Sequence, residues 1–235
     1  MRLLLLSNSR TEGMGYLEYA LGPLRDFLPK DCTEVLFVPY AGVTKTHYDY
    51  VEQVRPVFAA LGANVAGLHR AHDPIDAVRK AQAIAIGGGN TWNLLRELRR
   101  NRLLPVIRER VLEGMPFIGW SAGANVATPT IMTTNDMPIC DPGGFDALAL
   151  VPFQINPHYL HGNPPGFKGE TREERLREFG VLHPEVWVAG LREGTGLRIE
   201  GRSIALFGSA ECRIFRGTQP SREVKPGDDV SFLLA

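Results

Sequence analysis

The first half of the chain alternates between two apolar patterns. Short unbroken apolar runs at residues 3–6, 35–38 and 83–86, a mainly apolar one at 64–68 and a shorter one at 117–118 predict β-strands. Between them, apolar residues recur at helical spacing. Leu17, Ala20, Leu21, Leu24, Phe27 and Leu28 predict a helix over 16–27, and Val51, Val54, Val57, Phe58 and Leu61 predict one over 48–61. Asp73-Pro74 reads as an N-cap followed by proline at the first helical position, opening a short helix that runs to residue 81. Leu94, Leu95 and Leu98 face inward on a helix over 91–100, with helix again over 106–112. Unbroken apolar strands are buried on both faces. Strands separated by helices imply a parallel sheet with right-handed crossovers. The expected fold class is therefore α/β: a three-layer, doubly wound, mostly parallel sheet, flavodoxin-like in plan.

The second half changes character. Residues 128–170 are rich in Pro, Gly, Asn and Asp and read as long loops, with a short strand at 148–151. A loop of that length in a compact domain usually carries function. A helix follows over 171–179, where Thr171 and Glu174 have capping-box spacing. Closely spaced short strands at 186–191, 197–199, 203–207, 213–215 and 230–234 suggest a small antiparallel extension at the C-terminus. With no repeat, low-complexity tract or clear linker, one domain over 1–235 is expected.

Composition narrows the function classes. Lys+Arg and Asp+Glu each total 26, for a formal net charge of zero. No basic excess or polybasic tract points to nucleic acid or a membrane surface. The three cysteines, Cys32, Cys140 and Cys212, are scattered, as suits a reducing compartment. The four leucines at 3–6 are too short for a signal peptide and give way at once to Ser7-Asn8-Ser9. A cytoplasmic protein is expected, a monomer or small homo-oligomer acting on a small molecule.

Candidate chemistry centres on Gly119-Trp120-Ser121-Ala122-Gly123. An apolar run precedes this G-x-S-x-G and a small-residue run follows it, the strand–turn–helix context of a nucleophile elbow. A serine nucleophile needs a base, and the base needs an orienting acid. Of six histidines, His158 has the best context, just past a short apolar run and behind Pro157. His69 and His72 read as exposed, and His183 as a helix-end residue. Two acids compete to orient His158: Asp136, in a polar loop, and Glu193, whose place just past the predicted strand 186–191 favours it on geometry without deciding the matter. The oxyanion donors expected are the amides of Ala122 and of Gly88 in Gly87-Gly88-Gly89-Asn90. That tract lacks the spacing and the lysine of a phosphate cradle. Arg172 opens a helix, against the macrodipole, and its fork suits a substrate carboxylate. Asn90 joins Arg172 as a substrate-binding candidate. His158 and His161 form H-x-x-H without a third ligand at convincing spacing, so neither metal nor cofactor is expected.

With these residues in place, the chain strongly resembles the peptidase E family of alpha-aspartyl dipeptidases. The matching segments include Leu3-Leu4-Leu5-Leu6-Ser7-Asn8-Ser9, Ala41-Gly42-Val43-Thr44, Gly87-Gly88-Gly89-Asn90-Thr91 and Gly119-Trp120-Ser121-Ala122-Gly123-Ala124-Asn125. They continue with Thr133-Thr134-Asn135-Asp136-Met137-Pro138-Ile139, Gly144-Phe145-Asp146-Ala147-Leu148, Gln154-Ile155-Asn156-Pro157-His158 and Gly169-Glu170-Thr171-Arg172. Beyond about Gly194 the match weakens. The resemblance implies a fold like that of class I glutamine amidotransferases and hydrolysis of Asp-Xaa dipeptides through an acyl-enzyme. It implies Ser121 as nucleophile, His158 as base, Asp136 or Glu193 as third member, and Arg172 as the residue holding the aspartate side chain. The rival readings are a cyanophycinase-like hydrolase, against which the short chain argues, and a non-catalytic small-ligand module that keeps the elbow as scaffold.

Overall fold

A computed structural model of the chain describes residues 1–163, 166 and 168–235, so the loop expected at 164, 165 and 167 lies outside the described residues. Among the described residues there are eleven strands: β1 (Arg2–Leu6), β2 (Glu34–Val38), β3 (Asn64–Gly67), β4 (Ile84–Ile86), β5 (Phe117–Trp120), β6 (Gln154–Asn156), β7 (Trp187–Leu191), β8 (Thr195–Glu200), β9 (Ser203–Gly208), β10 (Cys212–Arg216) and β11 (Arg222–Val224). The seven α-helices are α1 (Leu21–Phe27), α2 (His47–Ala59), α3 (Pro74–Lys80), α4 (Thr91–Arg100), α5 (Leu103–Leu112), α6 (Ala122–Asn125) and α7 (Arg172–Leu182).

A seven-stranded sheet runs in the order β3-β2-β4-β5-β1-β8-β9. Its first five strands are parallel, and the β8–β9 hairpin joins antiparallel beside β1. The unbroken apolar runs now have a physical cause. Leu3 and Leu5 of β1 feed one core, and Leu4 and Leu6 feed the other. Leu36 and Val38 separate from Val35 and Phe37 in the same way. Helices α1 and α2 close one face, and α3, α4 and α5 close the other. The central strands β1, β4 and β5 therefore have no solvent side to make polar.

A second sheet, β11-β10-β7-β6, is mostly antiparallel, with β6 and β7 parallel. Ile155, Ala189, Leu191, Cys212 and Ile214 turn one face of it toward the main core. Val188, Phe215 and Tyr159 meet Leu176 of α7 on the other. The predicted C-terminal extension is thus divided between a hairpin on the main sheet and this separate sheet. Thr171 caps α7, and the capping box with Glu174 is present.

Three local expectations are corrected. Residues 148–151 form no strand; amides there bond to the segment that follows α6 (Leu148 to Val126, Ala149 to Thr128, Leu150 to Ala127), and the side chains of Leu148, Leu150 and Val151 are buried without a partner strand. Residues 231–234 form a 3₁₀ turn, which buries Val230 and Leu233 three apart while the Asp229 carboxylate accepts the Ser231 N–H. The helix expected over 16–27 splits into a 3₁₀ turn at Glu18–Ala20 and then α1. Leu17 is left-handed, and Pro23 is confined to the first turn of a helix, where its missing N–H costs nothing. Strands β6 and β11 went unpredicted; each is three residues long.

Candidate active site

The site is assembled where strands end. Ser7 follows β1, Gly87 and Gly88 follow β4, Ser121 follows β5, His158 stands two residues past β6, and Glu193 two past β7. Parallel sheets gather ligands at these carboxyl ends because the turns there can vary without disturbing the core.

Ser121 sits in a strained backbone conformation, with φ 53° and ψ −114°. Such a conformation in a non-glycine residue costs about 1–3 kcal/mol and survives only when its surroundings impose it. Here the Ser121 N–H is tied to the carbonyl of Leu6 in β1, while its carbonyl accepts the N–H of Ala124 and Asn125. A Cβ on Gly123 would stand 2.0 Å from the Ile86 carbonyl oxygen, so only glycine lets α6 pack this close to β4. The same crowding explains Gly88: a Cβ there would lie 2.9 Å from the Ser121 Cβ. The glycine tract and the serine are therefore in contact. Among the described residues, the Gly88 and Ala122 amides donate to no protein acceptor. Helix α6 has only four residues. Its contribution is a free amide rather than a macrodipole, which needs a longer run of aligned peptides.

The Ser121 hydroxyl lies 3.0 Å from His158 Nε2, and His158 Nδ1 lies 2.7 Å from Glu193 Oε1. Acid, imidazole and hydroxyl form one hydrogen-bonded row. His158 is itself held in a left-handed conformation, φ 54°. Its N–H donates to the buried Ser7 hydroxyl (2.9 Å), which in turn donates to the Leu191 carbonyl (2.8 Å). Glu193 is placed by its neighbours. Arg192 turns the opposite way to make a paired bond to Glu223 at 2.8 and 2.7 Å. Asn8 Oδ1 accepts the Gly194 N–H at 2.9 Å.

Asp136 does not reach His158. Its Oδ2 accepts both the backbone N–H (2.7 Å) and the hydroxyl (2.6 Å) of Thr91, at the start of α4. The neighbouring Asn135 donates to the Pro157 carbonyl, bracing the histidine loop from the other side. Asn90 caps α4 through Asn93 N–H (3.0 Å) and donates to the Met137 carbonyl (2.9 Å), so both ends of its amide are engaged. Ser121, Gly88, Asn90, Asp136 and His158 line one cleft of about 810 Å³. Arg172 lies outside it, in an adjoining hollow that it shares with His158 and Glu193. Burial, then the nearby Arg175, draw the Arg172 guanidinium below its ordinary pKa, while Glu193 and Asp136 act the other way. Of the remaining histidines, His72 is exposed and His69 half-buried, while His183 is the C-cap of α7. His161 lies 3.5 Å from Glu173.

Three contributors escaped the sequence reading. Ser7 and Asn8 were visible as polar residues directly after an all-apolar strand. Tyr50 gave no such signal. Its buried hydroxyl donates to the Gly88 carbonyl (2.8 Å) and accepts from Trp120 Nε1 (3.2 Å). Burial raises its pKa well above that of an ordinary phenol, which keeps the donor protonated.

The model of peptidase family S51 matches residues 3–207. The chain belongs to peptidase family S51. It is 46% identical over 233 residues to peptidase E of a Nostoc species, covering 99% of this chain and 96% of that one. It is 47% identical over 227 residues to peptidase E of Salmonella typhimurium, covering 97% and 99%. A peptidase E-type protein from Listeria monocytogenes shares the fold, with a TM-score of 0.67 at 24% identity over 89% of this chain and 98% of that one. A peptidase from an acI-B1 actinobacterium does so with a TM-score of 0.71 at 18% identity, over 98% and 96%. As an S51 member, the chain is a serine-type peptidase. No helix among the described residues is long and apolar enough to cross a membrane.

Proposed function

We propose that this serine dipeptidase hydrolyses dipeptides with an N-terminal aspartate, Asp-Xaa, through an acyl-enzyme. The observation that carries the reading is the hydrogen-bonded row from Glu193 through His158 to Ser121, at 2.7 and 3.0 Å. In this mechanism His158 Nε2 takes the Ser121 proton as the hydroxyl oxygen attacks the aspartyl carbonyl carbon. The Gly88 and Ala122 amides receive the oxyanion. Collapse breaks the peptide bond, and His158 returns the proton to the departing amine. Water, deprotonated by the same imidazole, then releases aspartate and restores Ser121. Glu193 holds the imidazole with Nδ1 protonated and stabilises the cation that forms. Arg172, without an ion-pair partner among the described residues, takes the aspartate side-chain carboxylate. Asn90, with its amide fully engaged, contributes as a fixed wall of the cleft. The reading extends to one α/β peptidase domain over 1–235, cytoplasmic, acting as a monomer or small homo-oligomer without nucleic acid.

Ser121→Ala should lower Asp-Leu hydrolysis by at least about 10⁴-fold with an unchanged circular dichroism spectrum, since nucleophile removal in a triad costs that much or more. Retained turnover would refute the mechanism. Arg172→Ala should lower kcat/KM for Asp-Leu by about 30-fold or more, the cost of unpairing a buried charged hydrogen bond. A variant that still prefers Asp-Leu over Asn-Leu as strongly as before would remove Arg172 from the aspartate pocket.

A further inference from the structure

An Asp-Xaa dipeptide carries two carboxylates: the aspartate side chain and the free C-terminus of the leaving residue. Arg172 accounts for one, and it lies outside the cleft that holds Ser121. That cleft has two cations of its own, Arg10 and Lys45. Among the described residues neither forms an ion pair. Asp136 is the only carboxylate lining the cleft among those residues, and it is engaged by Thr91. Two cations against one carboxylate leave the lining of the cleft that holds Ser121 with a surplus of positive charge.

Both cations are exposed, but each is held by neighbouring side chains. Lys45 Nζ donates to Gln53 Oε1 at 2.9 Å and stands 4.4 Å from the centre of the Tyr50 ring. The same Tyr50 holds the Gly88 carbonyl, so the ammonium is anchored next to the tract that receives the oxyanion. Arg10 lies over the ring of Tyr16, whose hydroxyl approaches that of Tyr50 at 3.4 Å. Cation–π contact of this kind orders a long side chain while leaving its donors free. A Lys ammonium has three donors, and Gln53 takes one.

We propose that Lys45, assisted by Arg10, forms a subsite for the C-terminal carboxylate of the departing residue, and so restricts this peptidase to substrates whose second residue is the last. The proposal rests on the aspartyl-dipeptide reading and adds the group that measures substrate length. An amide or a further residue at that position loses the charge and meets an unpaired ammonium.

The test compares kcat/KM for Asp-Leu and Asp-Leu-amide. The wild-type protein should favour the free acid by about tenfold or more, the range of a hydrogen bond to a charged group. Lys45→Met, which keeps the apolar stem on Tyr50, should bring the acid-to-amide ratio down about tenfold, and Lys45→Glu should take it below one. Taking the ratio cancels any general disturbance of the Gly88 tract. An unchanged ratio in both Lys45→Met and Lys45→Met/Arg10→Met overturns the subsite while leaving aspartyl cleavage in place. Wild-type inactivity toward both substrates overturns the dipeptidase reading, and the subsite with it.

Discussion

At the scale of the residue, the two acids that compete for His158 in the sequence make different contacts. Glu193 meets the imidazole of His158 at 2.7 Å, whereas Asp136 is spent on Thr91 at the start of α4. Their neutral isosteres should separate accordingly. Glu193→Gln should lower kcat by about 10²–10⁴-fold with little change in KM, because a group that stabilises the charged imidazolium acts chiefly in the transition state. Asp136→Asn should cost stability instead, about 1–3 kcal/mol for a lost charged hydrogen bond at a helix start. Steady-state kinetics together with urea denaturation of the two variants decides between these roles. A kcat defect confined to Asp136→Asn would reverse them.

At the scale of the element, the elbow depends on how closely α6 approaches the sheet. Gly123 faces the Ile86 carbonyl at a distance no Cβ tolerates. Gly123→Ala must push α6 off β4, and with it the Ser121 hydroxyl away from His158. The expected outcome is a loss of about 1–3 kcal/mol from overpacking together with a large fall in kcat. As a control, Gly22→Ala places a methyl in open space on α1 and should leave both measurements near wild type. Full activity in Gly123→Ala would mean that the elbow is not held by this contact. Much of this element was legible beforehand, because a strand, a tight turn and a small-residue helix are contiguous in sequence. The four-residue length of α6 was not legible, since small residues continue past it to Ala127.

At the scale of the whole molecule, the site spans two sheets and depends on their being held in register. Ser7 joins them by bonding both the His158 amide and Leu191. Glu223 of β11 ties Arg192 of the β7 turn to Arg213 of β10. Arg192, then Arg213, hold the Glu223 carboxyl below its ordinary pKa. A carboxyl lowered in the folded state contributes stability above its unfolded pKa, about 4.3, and loses it as pH falls through the lower folded value. The urea midpoint of the wild-type protein should therefore drop below about pH 4.3, and the gap between it and Glu223→Gln should close there. A gap that stayed constant with pH would show that the carboxylate contributes nothing through its charge.

The sequence by itself determined the doubly wound half and the serine turn. Both are written in contiguous residues: β1, β2 and β4 must be apolar on both faces because alternate side chains enter different cores, and Gly119 and Gly123 flank Ser121 in the turn itself, whereas Gly88, whose Cβ would crowd Ser121, comes from a distant strand end. Placement just past a predicted strand favoured Glu193 over Asp136 without settling the choice. Glu193 lies 35 residues from His158, and its approach depends on β7 pairing with β6, on Ser7 joining the two sheets, and on Arg192 being drawn the other way. Tyr50 reaches Gly88 across 38 residues, from a helix whose apolar stripe looked like ordinary core. The tertiary structure decided these contacts because they are distances between elements, which side-chain periodicity along one element does not encode.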